Sequence, residues 1–187
     1  MRPRQPLPRL WLMTDERQTD GREGIAPLLR AIARLPRGAG IVFRHHRTPA
    51  GVRRAFYEEV RALARRRGLV LVLAGPTRQA VGWRADGAHG RGRHKGAARG
   101  LIRTAPVHDA RELASAHAAR VDLIFVSPLF PTRSHPGTRT LGRVRFGLLA
   151  ARARVPVAAL GGMTERRARG LARFGIHGWA AIDAWSG

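Results

Sequence analysis

The sequence predicts a single α/β domain, a closed (β/α)8 TIM barrel, on three observations. The chain has 187 residues, of which 44% are hydrophobic, which suits one domain with its own core. Short apolar runs alternate with amphipathic stretches rich in Arg and Ala, a pattern typical of βα units and a parallel sheet. Eight such units follow one another without a linker, and this number favours a closed barrel over an open sheet.

The predicted barrel spans residues 10–187, and residues 1–9 form a basic N-terminal arm. Because the sequence ends directly after the eighth apolar run, we expect a compact barrel that lacks the C-terminal eighth helix. This leaves an apolar flank near Trp179 and Trp185, which the arm or a second copy of the chain in a homodimer would cover. The predicted strands are residues 10–14, 40–45, 69–74, 87–89, 101–105, 123–127, 155–160 and 178–184.

Three of the predicted helices carry start signals. The pair Thr48–Pro49 is typical of an N-cap followed by proline at the first helical position. Asp109, with Glu112 three residues later, resembles a capping box. Thr164 begins a third helix, which Gly175 ends. The apolar face of the first of these helices comprises Val52, Phe56, Val60 and Leu63.

The composition limits the classes of function. The formal net charge of +23 comes almost entirely from arginine, since Lys95 is the single lysine. It favours either a polyanion partner such as RNA or a compositional bias, and the even spread of arginines along the chain favours the bias. The absence of cysteine excludes disulfides, thiolate zinc sites and cysteine nucleophiles. We find no membrane span or signal peptide and expect a cytoplasmic protein.

Ligand sites of such barrels lie where the strands end, so the residues that follow each strand are the candidates. After the second strand, period-two alternation puts Val42, Arg44 and His46 on one face. If that face is the interior, Arg44 and His46 would bind a phosphate, whereas on the other face they would point into solvent. After the fifth strand, His108 is either a general acid or base or a loop histidine bound to backbone.

The segments after the sixth and seventh strands are further anion-binding candidates. Thr132, Ser134 and His135 supply hydroxyls and a cation, in a loop over residues 133–143 that is a candidate mobile lid. Gly161 and Gly162 allow backbone amides to approach an anion just before a helix begins, at the usual phosphate position of such barrels.

Six short runs also occur in a characteristic order. They are Leu-Met-Thr-Asp at 12–15, Phe-Arg at 43–44, Ala-Asp-Gly-Ala-His at 85–89, Val-His at 107–108, Ser-Pro-Leu-Phe-Pro-Thr at 127–132 and Pro-Val-Ala-Ala-Leu-Gly-Gly-Met at 156–163. Together they resemble the thiamine phosphate synthase/TenI family over about residues 10–185. The resemblance implies a (β/α) barrel that joins a hydroxymethylpyrimidine pyrophosphate to a thiazole phosphate, with Mg²⁺ and release of pyrophosphate. TenI-like members include a thiazole tautomerase, whose catalytic histidine aligns with His108.

The resemblance is uneven at the metal site. Arg44 matches the family's Gln-x-Arg-x-Lys motif, but Val42 and His46 replace its Gln and Lys. Residues 74–76, Ala-Gly-Pro, align with the Asn-Asp-Arg of the synthases, and His94 aligns with their second Asp. These two Asp residues bind Mg²⁺ in the family. The expected Mg²⁺ therefore lacks its usual oxygen ligands here, and we assign no metal-binding residue.

Two further exchanges concern phosphate binding. The family's Thr-x-Thr-Lys becomes Thr132 to His135, which keeps the hydroxyls but replaces a fixed charge with a titratable one. Asp183 stands where the family has a phosphate-binding Ser, and it would repel a phosphate unless an arginine pairs with it.

These observations lead to a diverged thiamine phosphate synthase-like enzyme as the first hypothesis. The alternatives are a TenI-like tautomerase, which needs only a base and a phosphate anchor, and a phosphate-binding barrel without catalysis. A basic RNA-associated protein is a further alternative, of a different class. The expected ligand in the first three cases is a small phosphorylated thiazole or pyrimidine.

Overall fold

The computed structural model describes residues 6–19, 23–91, 100–132, 137 and 139–185. Eight parallel strands close on one another in chain order, with β8 beside β1. This confirms the predicted barrel. The strands are β1 (Leu10–Met13), β2 (Gly40–Phe43), β3 (Val70–Ala74), β4 (Gly87–His89), β5 (Ile102–Val107), β6 (Leu123–Val126), β7 (Val157–Leu160) and β8 (Gly178–Ala181).

Helices follow most of the strands. Within the described ranges there are six α-helices, and residues 182–185 after β8 contain none, as the prediction of a missing last helix requires. Short 3-10 turns occur at Glu16–Gln18 and Ala172–Phe174. The helices are α1 (Ala26–Ala33), α2 (Ala50–Arg67), α3 (Thr77–Gly82), α4 (Ala110–Ala118), α5 (Gly142–Arg152) and α6 (Glu165–Arg169).

The helix starts agree only in part with the capping signals. Pro49, and not Thr48, is the N-cap of α2, so the predicted cap is displaced by one residue. The Asp109 side chain caps α4 as predicted, accepting from the amide of Glu112 at 2.8 Å. The Thr164 side chain caps α6, but that helix ends at Arg169 instead of continuing to residue 174.

The apolar face of α2 also differs from the prediction. Val52 is exposed, Phe56 and Leu63 are half-buried, and only Val60 of the predicted set is fully buried. The buried face of the helix carries Arg53, Tyr57, Val60 and Ala64. The helical period is right, but the face is rotated because Arg53 is held inward by backbone acceptors at the strand ends.

The barrel interior contains a large aromatic side chain, Trp11, packed opposite a glycine. Trp11 is fully buried and meets the ring of Phe125 edge to face at a centroid distance of 5.3 Å. Gly40 is paired with Trp11 across β1 and β2, and a Cβ at Gly40 would overlap the indole ring. The large side chain on β1 therefore requires a residue without a side chain at the paired position of β2, since protein interiors are close-packed.

The segment before β1 closes the amino-terminal end of the barrel. The carbonyl of Pro8 accepts from the Trp11 indole at 2.7 Å, and that of Arg9 accepts from the Trp179 amide at 2.8 Å. Leu7 packs on the interior cluster. At the predicted apolar flank, the Trp185 ring stacks on that of Trp179 at 5.5 Å, and both side chains are half-buried.

No helix among the described residues is long and apolar enough to span a membrane.

Candidate active site

A cavity of about 600 Å³ opens at the carboxyl ends of the strands. Its floor is apolar, formed by the side chains of Met13, Phe125, Leu160 and Ile182. Its wall is polar and carries charged and hydrogen-bonding groups from several successive loops. The predicted site residues on this wall are Arg44, His108, Thr132, Gly161 and Gly162. The predicted residues Ser134 and His135 lie outside the described part of the chain.

Arg44 is fixed at the rim by the buried end of β1. Its amide donates to the Thr14 hydroxyl at 2.9 Å, and its Nε donates to the Thr14 carbonyl at 2.6 Å. One Nη donates to Asp15 at 3.3 Å. Burial lowers the pKa of the guanidinium, while the Asp15 carboxylate opposes this. Arginine stays charged even so, and Arg44 is a fixed cation on the cavity wall.

Two carboxylates and two guanidiniums form a chain of ion pairs across β1, β2 and β8. Arg17 donates to Asp15 at 2.9 Å and to Asp183 at 3.5 Å, and Asp15 also pairs with Arg44. Burial raises the pKa of Asp15, but the hydrogen bonds from Arg17 and the charge of Arg44 outweigh it and lower the pKa overall. Asp183 lies on the cavity wall, and Arg17, which is not among the lining residues, is the arginine that pairs with it.

A second, buried arginine supports the loop that carries Arg44. Arg53 is 8% exposed and donates to the carbonyl of Arg44 at 2.9 Å and to that of Ala74 at 2.7 Å. Its guanidinium lies 5.2 Å from the centre of the Trp83 ring. These contacts tie the end of β2 to the end of β3 at the edge of the cavity.

His46 does not line the cavity. The alternation that would place it beside Arg44 ends at Phe43, because His45 takes a left-handed backbone with φ of 45°. Among the described histidines, His45 is instead the buried one, 1% exposed, between the hydroxyls of Thr14 at 3.0 Å and Thr19 at 3.3 Å. Burial lowers the pKa of His45 to about 4.

His108 lies on the opposite wall as part of a three-residue cluster. Its Nδ1 is 2.7 Å from Oε2 of Glu112, which also accepts from the His108 amide at 2.8 Å. Arg91, also on the wall, donates to Oε1 of Glu112 at 3.0 Å. Burial raises the pKa of Glu112, but the His108 hydrogen bonds and the Arg91 charge lower it overall. The capping glutamate thus binds a cavity histidine instead of the N-cap amide.

His89 is a cavity residue that the sequence analysis did not select. It ends β4, and its Nδ1 is 2.9 Å from the Thr104 hydroxyl on β5. Its ring meets Phe125 edge to face at 5.5 Å. Strand alternation could have selected His89, because it lies on the same face of β4 as Gly87. That face points into the barrel, since a Cβ at Gly87 would lie 2.9 Å from the interior side chain of Val72.

The Gly161–Gly162 turn is held against the loop after β6. The amides of Leu129 and Phe130 donate to the carbonyls of Leu160 and Gly161, at 2.9 and 3.2 Å. Both glycines have positive φ, 100° and 59°. Arg167 donates to the Gly162 carbonyl and lies 4.7 Å from the centre of the Phe130 ring. Arg167 therefore adds a guanidinium beside the predicted phosphate turn.

The described residues do not fit the family's Mg²⁺ site. The end of β3 offers Ala74, Gly75 and Pro76, which have no side-chain oxygen, and no group of three His, Asp or Glu gathers among the described residues. Asp183 on the cavity wall is already paired with Arg17. The candidate lid residues 133–136 and 138, and His94, lie outside the described ranges.

A closed parallel barrel with a cavity at the carboxyl ends of its strands defines the (β/α)8-barrel class. Within that class, residues 10–185 match the family described as thiamine monophosphate synthase. The chain belongs to this family.

Two curated relatives carry names from thiamine biosynthesis. The chain is 29% identical over 174 residues to the thiamine biosynthesis bifunctional protein ThiED of Geobacter sulfurreducens, covering 89% of this chain and 35% of the relative. It is 34% identical over 87 residues to a thiamine-phosphate synthase of Latilactobacillus sakei, covering 46% and 39%. These alignments thus span well under half the length of either relative.

Solved structures share the fold. The thiamine phosphate pyrophosphorylase of Pyrococcus furiosus superposes with a TM-score of 0.74 at 23% identity, covering 98% of this chain and 89% of that one. The thiamine phosphate pyrophosphorylase of Bacteroides thetaiotaomicron gives a TM-score of 0.59 at 17% identity, covering 95% and 83%.

Proposed function

We propose that the chain is an enzyme of thiamine biosynthesis that joins a hydroxymethylpyrimidine pyrophosphate to a thiazole phosphate. Family membership supports this class of reaction. The observation that carries it is the cavity wall, where the guanidiniums of Arg44, Arg91 and Arg167, from two loops and helix α6, line a space of about 600 Å³. A cavity of this size and charge suits small phosphorylated ligands.

The arginines have a specific task in this reaction. As the nitrogen of the thiazole bonds to the pyrimidine methylene carbon, the bond from that carbon to the pyrophosphate oxygen breaks, and pyrophosphate leaves with the electron pair. The leaving anion needs its charge neutralised in the transition state. Because the described residues do not fit a metal, Arg44 and its neighbours would supply that positive charge. We assign the thiazole phosphate to Gly161, Gly162 and Thr132, with Ser134 and His135 as further candidates.

Proton transfer on the thiazole phosphate alone is the second candidate function. The contact between His108 and Glu112 favours it, since a histidine oriented by a carboxylate is a common general base. This reaction needs no metal. A barrel that binds the phosphate without turnover would keep the same anion contacts.

The test is a coupling assay with two matched variants. The purified protein receives both substrates, with and without Mg²⁺, and thiamine phosphate is followed. Arg44→Ala removes a cation from the cavity wall, whereas Arg47→Ala removes an exposed arginine that pairs with Glu16 and is not among the cavity-lining residues. We expect product that survives removal of Mg²⁺ and is lost in Arg44→Ala but not in Arg47→Ala.

Other outcomes of that assay separate the alternatives. If no product forms but thiazole phosphate raises the melting temperature, coupling is excluded and proton transfer or binding without turnover stands. If neither substrate shifts the melting temperature, the cavity is not a site for these ligands. Product that requires Mg²⁺ would refute the charge-neutralising role of the arginines.

RNA association remains a separate hypothesis about the surface. The segment from α5 to the second 3-10 turn exposes eight arginines against one glutamate, namely Arg143, Arg145, Arg152, Arg154, Arg166, Arg167, Arg169 and Arg173 with Glu165. If RNA is a partner, log affinity for a single-stranded RNA falls linearly and steeply with log salt concentration. Weak binding already at low salt would mean that this charge is compositional.

A further inference from the structure

The geometry points to Glu112 and Arg91 as positioning residues that hold His108 in the tautomer protonated at Nδ1, which leaves Nε2 as the proton acceptor that faces the ligand. This inference rests on the proposed function in one respect only, that the cavity is the active site. It assigns roles to two residues that do not themselves react.

Glu112 makes three contacts that together fix the imidazole. One carboxylate oxygen accepts from the His108 amide at 2.8 Å and lies 2.7 Å from its Nδ1. The other oxygen accepts from Arg91 Nε at 3.0 Å. Because Glu112 belongs to the first turn of α4, capped by Asp109, the carboxylate has a rigid base. The ring is therefore anchored through the backbone and the side chain of the same residue.

The contacts discriminate between the two neutral tautomers. Nδ1 lies 2.7 Å from a Glu112 oxygen and 3.1 Å from an Arg91 Nη. If Nδ1 carries the proton, it donates to the carboxylate at the shorter distance. If Nδ1 is bare, it accepts from Arg91 at 3.1 Å, but its lone pair also faces a carboxylate oxygen at the shorter distance of 2.7 Å, which is repulsive. The ionised carboxylate therefore favours the tautomer protonated at Nδ1, and the charge of Arg91 helps to keep Glu112 ionised.

The assigned tautomer leaves the other ring nitrogen available. No described residue hydrogen-bonds Nε2, and His108 lines the cavity. A proton from an acidic C–H or N–H of a bound heterocycle can bond to Nε2, while the electron pair of the broken bond stays on the heterocycle. The resulting imidazolium is stabilised by the Glu112 carboxylate, which remains ionised, and the proton returns to the product or to water.

The ¹⁵N shifts of the His108 ring test the tautomer without any substrate. The protein has eight histidines, and the His108→Gln spectrum identifies the His108 signals by their loss. At about pH 8.5, where a histidine ring is ordinarily neutral, we expect a protonated Nδ1 and a bare Nε2 in the wild type. Glu112→Gln should shift this toward the tautomer protonated at Nε2, because the amide can donate to Nδ1. Glu165→Gln is the matched control, a first-turn glutamate paired with an arginine on α6.

The same variants are then assayed for proton transfer on the thiazole phosphate, the reaction in which His108 would act as the base. We expect Glu112→Gln to lower kcat about 100-fold, the scale of a positioned general base, with KM changed less than about twofold. Glu165→Gln should behave as wild type. Arg91→Gln should lower kcat less than Glu112→Gln does and leave the tautomer unchanged, because the carboxylate is still present.

The two experiments fail independently. A wild-type ring protonated at Nε2, or identical ring shifts in wild type and Glu112→Gln, overturns the positioning role whatever the coupling assay shows. Equal kcat in wild type and Glu112→Gln overturns it as well. A wild type with the assigned tautomer but no product refutes the proposed coupling reaction and leaves the assignment of Glu112 standing.

Discussion

Replacing Gly162 by alanine tests the close contact between the loops after β6 and β7. Gly162 has a φ of 59°, and a Cβ there would lie 2.5 Å from the Pro131 carbonyl oxygen. Gly175 has nearly the same backbone, with φ of 64°, but a Cβ there meets nothing within 4 Å. The pair separates the cost of a left-handed backbone from the cost of the loop contact.

The expected losses of stability differ by the overpacking term. A left-handed backbone costs a residue with a Cβ roughly 1–2 kcal/mol, while alanine restricts the unfolded chain and offsets roughly 0.4–1 kcal/mol of this. Gly175→Ala should therefore lower the free energy of unfolding by about 1 kcal/mol. Gly162→Ala adds roughly 1–3 kcal/mol because the obstructing oxygen belongs to the backbone, which gives a total of about 2–4 kcal/mol.

Urea unfolding of the two variants and the wild type measures these values. In thermal unfolding, the melting temperature should fall by about 2–4 °C for Gly175→Ala and about 5–15 °C for Gly162→Ala. Equal losses in both variants would refute the close contact of the two loops. A loss below about 1 kcal/mol in Gly162→Ala would show that the turn relaxes away from Pro131.

Three further predictions concern the rest of the site. Arg53→Met removes the guanidinium that binds two strand-end carbonyls and should lower the free energy of unfolding, measured in urea, by about 2–4 kcal/mol. The control Arg54→Met, at a more exposed arginine, should lower it by about 0.5 kcal/mol or less. Equal losses in the two variants would contradict the role assigned to Arg53. Because burial lowers the pKa of His45 to about 4 in the folded chain, from the usual 6.5, the unfolded chain takes up the proton first as the pH falls. The free energy of unfolding should therefore decrease between pH 6.5 and pH 4, by up to about 3 kcal/mol. Urea titrations at several pH values should show a flatter dependence for His45→Gln. Asp183→Ser removes a carboxylate from the cavity wall, so the affinity for inorganic phosphate, measured by calorimetry, should rise about threefold to tenfold. An unchanged affinity would mean that the anion binds elsewhere.

The fold was readable from the sequence because strands buried on both faces form continuous apolar runs. All eight predicted strands exist, and the errors lie at their ends. The second strand stops at Phe43 instead of residue 45, and the eighth at Ala181 instead of residue 184. Arg44 and His45 leave the strand because side-chain bonds to Thr14 replace the ladder there. Periodicity does not reveal such long-range bonds.

Only those residues of the candidate site that directly follow a strand were predictable from the sequence. Arg44, His108 and the Gly161–Gly162 pair meet at the cavity because parallel strands bring their carboxyl ends together. Arg91 and Arg167 were missed, since nothing in their local sequence distinguishes them from the many other arginines. The capping-box pattern located Glu112, but its contact with a cavity histidine depends on how the loop before α4 turns.

The packing of Trp11 against Gly40 has a consequence for how this barrel can change. The indole occupies the space that a side chain on β2 would otherwise fill, so the two positions share one volume. We expect relatives with a small residue at position 11 to carry a larger one at position 40, and chimaeras that exchange β1 without β2 to misfold. Compensated substitutions of this kind would let the shape of the barrel persist while its residues change.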